Sequence, residues 1–242
     1  IEDYTRIGSL LQPEQIVKYG ELTLRENQIA YAEPSFFRLF DFELLKGDKK
    51  TCLSMPGQVV ITERIASKYF KDEDPIGKIF IFTGAYDKIS CEVTGVMKEM
   101  PSNSHIHYSF LISYKSLPKY MQEYWYKHEA YTYVLLDSPE RKAEIEREFP
   151  VMAEKYKTDE ALKNKTWGVS LIPLADIHLT PQVGYEAETK GNRSSMIALI
   201  FAAIAILAIA WINYINLTVA RSMERAKEVG VRRVVGAFRK QL

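Results

Sequence analysis

The chain has 242 residues, 47% of them hydrophobic and 26% charged, with 32 basic and 31 acidic side chains for a net charge of +1. That composition belongs to a folded protein rather than a disordered one. The even charge balance argues against a broad basic face that reads a nucleic-acid duplex. Two cysteines, Cys52 and Cys91, are too few for a disulfide scaffold or a four-cysteine zinc site.

Taken in chain order, the first 195 residues alternate between strand and helix patterns. Residues 1–11 form a short amphipathic segment ended by Pro13, and 15–24 and 28–32 read as strands. Pro34 and Ser35 stop the second of these, with Ser35 placed to cap a turn holding Phe36, Phe37, Leu39 and Phe40. Residues 59–62 lead into a helix over 63–70, with Thr62 as its cap and Ile65, Ala66, Tyr69 and Phe70 as its apolar stripe. The turn DEDPIG precedes a strand pair over 78–83 and 90–97, and 101–104 is a further turn. Strands are expected over 108–113, 130–136 and 167–174. A helix is expected over 139–156, capped by Ser138, with Ile145, Phe149, Met152, Ala153 and Tyr156 on one face. Residues 130–174 thus read as a βαβ-like unit, and 176–195 as a polar linker.

The stretch from 196 to 220 carries no charge and is almost pure Ile, Ala, Leu, Phe and Trp up to Ile212. About 20 such residues suffice for a helix to cross a bilayer. Beyond it, residues 221–242 hold seven basic side chains against two acidic ones, a net of +5, which leaves −4 for 1–195. Basic flanks stay in the cytoplasm, so 1–195 should lie outside it. Trp211 and Tyr214 fall toward the cytoplasmic end, where interfacial aromatics are expected. With no initiating Met and a basic segment running to Leu242, the chain is expected to be a piece of a longer protein. In 221–242, Ala226, Val231, Val234, Val235 and Phe238 lie toward one helical face and Arg225, Glu228, Arg232 and Arg239 toward another. Glu228 and Arg232 are spaced i,i+4 with the acid first. Gly230 and Gly236 permit a break or a close approach. Such a basic amphipathic helix suits either anionic headgroups or a docking protein.

The run INYINLTVARSMERAKEVGVRRVVGAFRKQL, residues 212–242, strongly resembles the start of the FtsX-like permease domain. The matching positions are Asn213, Asn216, Leu217, Arg221, Arg225, Lys227, Glu228, Gly230, Arg232, Arg233, Gly236 and Ala237. Upstream, PSFFRLFDF (34–42), VVITERIASKYFKDEDPIGK (59–78), VTGVMKEMPSNS (93–104) and IPLADIHL (172–179) resemble the extracytoplasmic core domain of MacB-like permeases. The resemblance implies an ABC transporter permease of the bacterial inner membrane, with 1–195 periplasmic, a transmembrane helix over 196–220 and a cytoplasmic elbow over 221–242. The fold it implies is α+β: porter-like βαβ units in 1–33 and 130–175, a second mixed subdomain in 34–129, then one transmembrane α-helix and a cytoplasmic amphipathic helix.

The same resemblance implies its partners: an ABC ATPase that holds the ATP and Mg, a second permease copy, the lipid bilayer, and a periplasmic adaptor or outer-membrane protein. Relatives export macrolides or peptides, extract lipoproteins or regulate cell-wall hydrolases. Arg225, Glu228, Arg232 and Arg233 would orient the elbow, Gly230 and Gly236 would let it turn, and Ala237 belongs to the same motif. Asn213 and Asn216, spaced i,i+3, either hydrogen-bond to neighbouring helices in the membrane or lie hydrated near its interface; the second reading is preferred for Asn216, and both stay open for Asn213.

Other chemistry is thin. No G-x-x-x-x-G-K-[ST] phosphate loop occurs, so no cofactor is expected in this chain. His105 and His107 form the one close histidine pair and have no third ligand at telling spacing, so no metal is expected. No nucleophile signature or acid–base pair stands out, so an enzyme is not expected. A buried free thiol is the default for Cys91. The competing readings are a single-span sensor with an extracytoplasmic sensing domain, which calls for heptads rather than GVRRVVGA after the span, and a membrane-anchored envelope enzyme.

Overall fold

The structure is a computed structural model that describes residues 1–8, 14–84, 88–122, 130–157, 163–166, 168–179 and 193–236. Pro13, Trp167, most of the linker and Ala237 onward lie outside the described residues. The described chain forms two units, one of residues 1–173 and one of 174–179 with 193–236.

The first unit is built on a ten-stranded sheet. Its strands are β1 (Asp3–Gly8), β2 (Glu14–Tyr19), β3 (Leu22–Asn27), β4 (Ile29–Ala32), β5 (Leu44–Lys46), β6 (Gln58–Thr62), β7 (Ile79–Thr83), β8 (Lys88–Met97), β9 (Phe110–Ser113) and β10 (Tyr131–Leu135). Their order is β10-β1-β4-β9-β6-β8-β7-β2-β3, with β5 pairing beside β8. The pairs β4–β9 and β6–β8 are parallel and the others antiparallel. Only Gln28 separates β3, at one end of this order, from β4 near the other. The sheet must therefore curl back on itself.

Gln28 makes that corner with a left-handed backbone, φ 60°. Its carbonyl accepts from the Ser109 and Phe110 N–H groups at 2.8 and 3.2 Å. Its side-chain oxygen accepts from the Ser109 hydroxyl at 2.8 Å.

The middle strands bury both faces, which is why they read as unbroken apolar runs rather than alternating ones. Val59, Ile61, Phe110, Ile112, Ile29 and Tyr31 join one core with Phe80, Phe82, Cys91 and Val93. Val60, Leu111, Ala30 and Ala32 join another with Ile7, Phe36, Phe37, Cys52, Leu53 and Met97. Helix α2 (Glu63–Phe70) closes the first core with Ile65, Tyr69 and Phe70, and the Thr62 hydroxyl accepts from the Ile65 N–H at 3.4 Å as its cap. Helix α1 (Phe36–Leu39) closes the second. Ser35 occupies the cap position of α1, but its hydroxyl donates to the Tyr4 carbonyl at 2.6 Å and so ties the turn to β1 instead. A further short helix, α3 (Lys119–Gln122), is anchored by Arg6. That guanidinium donates to the Gln122 carbonyl at 2.7 Å and to Glu33 at 2.9 Å, and lies 4.4 Å from the Tyr114 ring centroid.

Several sequence expectations need correction. The segment 15–24 is a hairpin, not one strand, because Gly20 turns the chain with φ 55° and Tyr19 pairs with Leu22. Helix α4 (Arg141–Tyr156) begins two residues after Pro139, with Glu140 at its cap position. Ala153 on the expected face is fully buried, while Met152 and Tyr156 remain exposed. No strand forms over 168–174: the Leu171 N–H and the Ser170 hydroxyl go to the Glu146 carboxylate of α4, at 2.7 and 3.4 Å. That removes the second strand of the expected βαβ unit among the described residues.

Both thiols are free and buried, one in each core. Burial pushes Cys52 up to about 11 and Cys91 up to about 12, against about 8.5 for an open thiol. At pH 8 both are therefore thiols, and thiolate is the reactive form. A charged thiol reagent should label neither cysteine in the native protein and both in denaturant; rapid native labelling would contradict this packing.

Candidate membrane-coupling helix

The second unit is dominated by one helix, α5 (Arg193–Val234), of 42 residues. It contains both the apolar span and the basic segment, which the sequence suggested as separate helices. Nothing between them breaks the helix: residues 221–227 read RSMERAK, and all of them but Ser222 favour helix. At 1.5 Å per residue its length is about 63 Å, roughly twice the hydrocarbon thickness of a bilayer. Residues 194–234 form a helix long and apolar enough to cross a membrane, with none of its most apolar window buried. A backbone that hydrogen-bonds within itself is what hydrocarbon demands. Thr218 adds to this by donating its hydroxyl to the Tyr214 carbonyl at 2.8 Å.

Asn213, Asn216, Arg225, Glu228, Gly230, Arg232 and Arg233 all lie on α5. The Arg232 guanidinium meets the Glu228 carboxylate at 2.5 Å, one turn apart, with both side chains more than half exposed. An exposed pair of this kind contributes about 0.3–0.5 kcal/mol, so it orients side chains more than it holds the helix. Glu224, Lys227, Glu228, Val231 and Arg232 line a shallow open surface. Arg225 and Arg233 are exposed.

Gly230 lies inside the helix, and a Cβ there would meet nothing within 4 Å. Gly236 is different. It follows the helix end with φ 93°, and its N–H bonds the Arg233 carbonyl at 3.2 Å, so the chain turns out of the helix there. Ala237 lies outside the described residues.

One feature spans the boundary that sequence reasoning drew at residue 220. At 100° per residue, Asn213, Asn216, Ala220, Glu224, Lys227 and Val231 fall within a stripe roughly 80° wide. The two amides thus line up with Glu224 and Lys227, while Arg221, Arg225, Glu228 and Arg232 fall to one side of the stripe. The signal was present as a 3- and 4-residue spacing, but it is visible only when span and basic segment are read as one helix.

Elsewhere, His105 Nε2 shares a hydrogen bond with the Tyr133 hydroxyl at 3.0 Å and packs near Phe40. Both His105 and His107 lie before β9 rather than on a strand. Among the described residues no three His, Cys, Asp or Glu side chains gather as a metal site would require.

Residues 3–150 match the family model of the MacB-like periplasmic core domain. Three solved structures are similar. One is a domain from a Porphyromonas gingivalis protein described as a permease, at 22% identity, covering 67% of this chain and 73% of that one with a TM-score of 0.55. Another is the periplasmic region of MacB from Actinobacillus actinomycetemcomitans, at 16% identity, covering 64% and 67% with a TM-score of 0.44. A third is the extracellular domain of the noncanonic ABC-type transporter YknZ from Gram-positive bacteria, at 17% identity, covering 66% and 79% with a TM-score of 0.46. The first of these is a likeness of fold. None of the curated proteins matches the chain. Permeases of the MacB and FtsX kind work with ABC ATPase partners and are themselves generally not enzymes. With residues 3–150 matched and a helix long and apolar enough to cross a membrane following them, the chain belongs to the MacB-like periplasmic core domain family of ABC transporter permeases.

Proposed function

We propose that this chain couples ATP hydrolysis by a partner ATPase to movement of its periplasmic domain, for export, extraction or signalling across the envelope. The observation that carries the reading is α5: a single helix that continues unbroken from an apolar span into a basic segment, in a chain whose first part is a MacB-like domain. In this reading 1–195 face the periplasm, 221–242 face the cytoplasm, and ATP and Mg sit on the partner. A second copy of the permease completes the membrane assembly, and a periplasmic adaptor or outer-membrane protein receives the motion. Arg225, Glu228, Arg232 and Arg233 would present the charged surface to the ATPase side, and Gly236 with Ala237 would begin the turn toward it. Asn213 and Asn216 would bond to other helices within the bilayer, where an amide gains most from a partner.

Two substitutions test this in the full-length protein with its ATPase. Glu228→Lys reverses one member of an exposed pair, so insertion and stability should hardly change. Transport-linked ATPase activity should fall several-fold; unchanged activity would remove Glu228 from the coupling surface. Gly230→Ala should raise helix stability by about 1 kcal/mol, since the added methyl meets nothing in this chain. If a partner backbone packs there, ATPase association should weaken even though the helix is firmer. Unaltered association would show that Gly230 faces no partner.

A further inference from the structure

The strand order ends at β3, and among the described residues no strand takes its outer side. The hairpin closes with Tyr19 opposite Leu22, so Leu22, Leu24 and Glu26 exchange hydrogen bonds with β2. The N–H and C=O groups of Thr23 and Arg25 consequently point to the open edge. The edge is not open along its whole length. At its far end Glu26 is buried under α2, accepting from Lys68 Nζ at 2.6 Å and from the Tyr69 hydroxyl at 2.8 Å. The open stretch is 21–25, where Glu21, Leu22, Thr23 and Arg25 are all exposed and Leu24 is half-buried. Its midpoint is Thr23.

That stretch is complementary to an inverted copy of itself. An antiparallel β3 with Thr23 opposite its counterpart sets Leu22 against Leu24 twice and brings Glu21, in the turn just before the strand, level with Arg25 of the other copy twice. The apolar pairs then fall on the face that packs toward the first core, which Leu24 already touches. Arg25 lies on the opposite face, within reach of the partner's turn. The next two registers along the strand do worse. Centring on Leu24 sets Leu22 against Glu26, and centring on Arg25 sets two guanidinium groups together, which is destabilising. Among the described residues Arg25 pairs with Glu14, at 3.5 Å, with both side chains largely exposed. Edge strands are usually blunted by charge against chance pairing. Here the charges are of both signs, four residues apart, so they discourage an arbitrary strand and fit this one.

We propose that β3 is a pairing edge, joining the periplasmic domains of two copies of this chain by antiparallel strand addition in the register centred on Thr23. This deepens the two-copy part of the reading above by naming the surface. Three opposed strand positions, with a turn residue at either end, are too few to hold free domains together. Two copies tethered in one membrane meet at a high effective concentration, which makes so small a contact sufficient.

The test is disulfide trapping of the full-length permease in native membranes under mild copper-catalysed oxidation. Directly opposed Cβ atoms in such a pair lie about 4.5–5.5 Å apart, about 1 Å beyond what a disulfide spans, so a small shift of two strands held at an edge closes the bond. Thr23→Cys should give a cross-linked dimer, and Lys18→Cys, an exposed site on β2, should not. Leu22→Cys and Leu24→Cys should cross-link to each other when co-expressed and poorly alone. Adding Arg25→Glu to Thr23→Cys should cut the dimer several-fold, and adding Glu21→Arg as well should restore it. The native thiols are buried and stay silent; Lys18, Leu22 and Thr23 are exposed, so substitution there leaves folding intact, and the half-buried Leu24 site is checked by its expression level. A Thr23→Cys yield no higher than that of Lys18→Cys, or one indifferent to Arg25→Glu, overturns the pairing edge. A dimer held by the membrane segments without this cross-link overturns it too and leaves the ATPase-coupled reading standing. The cross-link in a protein that binds no ATPase does the reverse.

Discussion

A strand at one end of the sheet runs into a strand near the other through Gln28 alone, and the periplasmic domain is organised around that junction. A flat sheet of this order would leave β3 and β4 several strands apart. Curling brings them together and creates two distinct faces to fill. The inner face takes the aromatic core capped by α2, and the outer face takes the core covered by α1 and the segment around Cys52. The backbone price of the corner is a left-handed non-glycine residue, offset by three hydrogen bonds that Gln28 accepts from Ser109 and Phe110. The Arg64 guanidinium donates to the Ser109 hydroxyl at 2.8 Å, so the corner is tied to the first turn of α2 as well.

The second unit is suited to a different solvent. In hydrocarbon a peptide group has no partner but another peptide group, so an apolar run of this length has to be helical. What the bilayer does not dictate is where the helix stops. It runs on through Glu224, Lys227 and Glu228 to Val234 because those residues favour helix and because Glu228 and Arg232 support one turn. Gly236 then supplies the exit. A rigid element that outlasts the membrane can carry displacement from one side to the other, and this physical property is what the proposed coupling requires.

Much of this was readable from sequence where local chemistry and tertiary packing agree. The helix 63–70 was legible because Thr62 caps it and its stripe faces a core. The strands over 59–62, 78–83 and 90–97 were legible because they are apolar and well punctuated. The hairpin at Gly20 was missed although the glycine was in view, since apolar residues on both arms read as one run. The strand expected near 167–174 failed for a reason no local pattern contains: Glu146, some 25 residues earlier, takes the Leu171 N–H. The candidate residues on α5 could be listed from the motif, but their relation could not. Gly230 and Gly236 look alike in sequence, while one sits in mid-helix and the other ends it. The amide stripe from Asn213 toward Lys227 emerges only once the helix is known to be continuous.

The coupling reading is tested most directly at Val231, which is exposed beside the Glu228–Arg232 pair. A photo-reactive residue placed there in the full-length protein, irradiated in native membranes, reports what that surface touches. The expected product is a cross-link to an ABC ATPase, identified by mass spectrometry. A cross-link to a signalling protein, or to lipid alone, would contradict the coupling role and favour a single-span sensor.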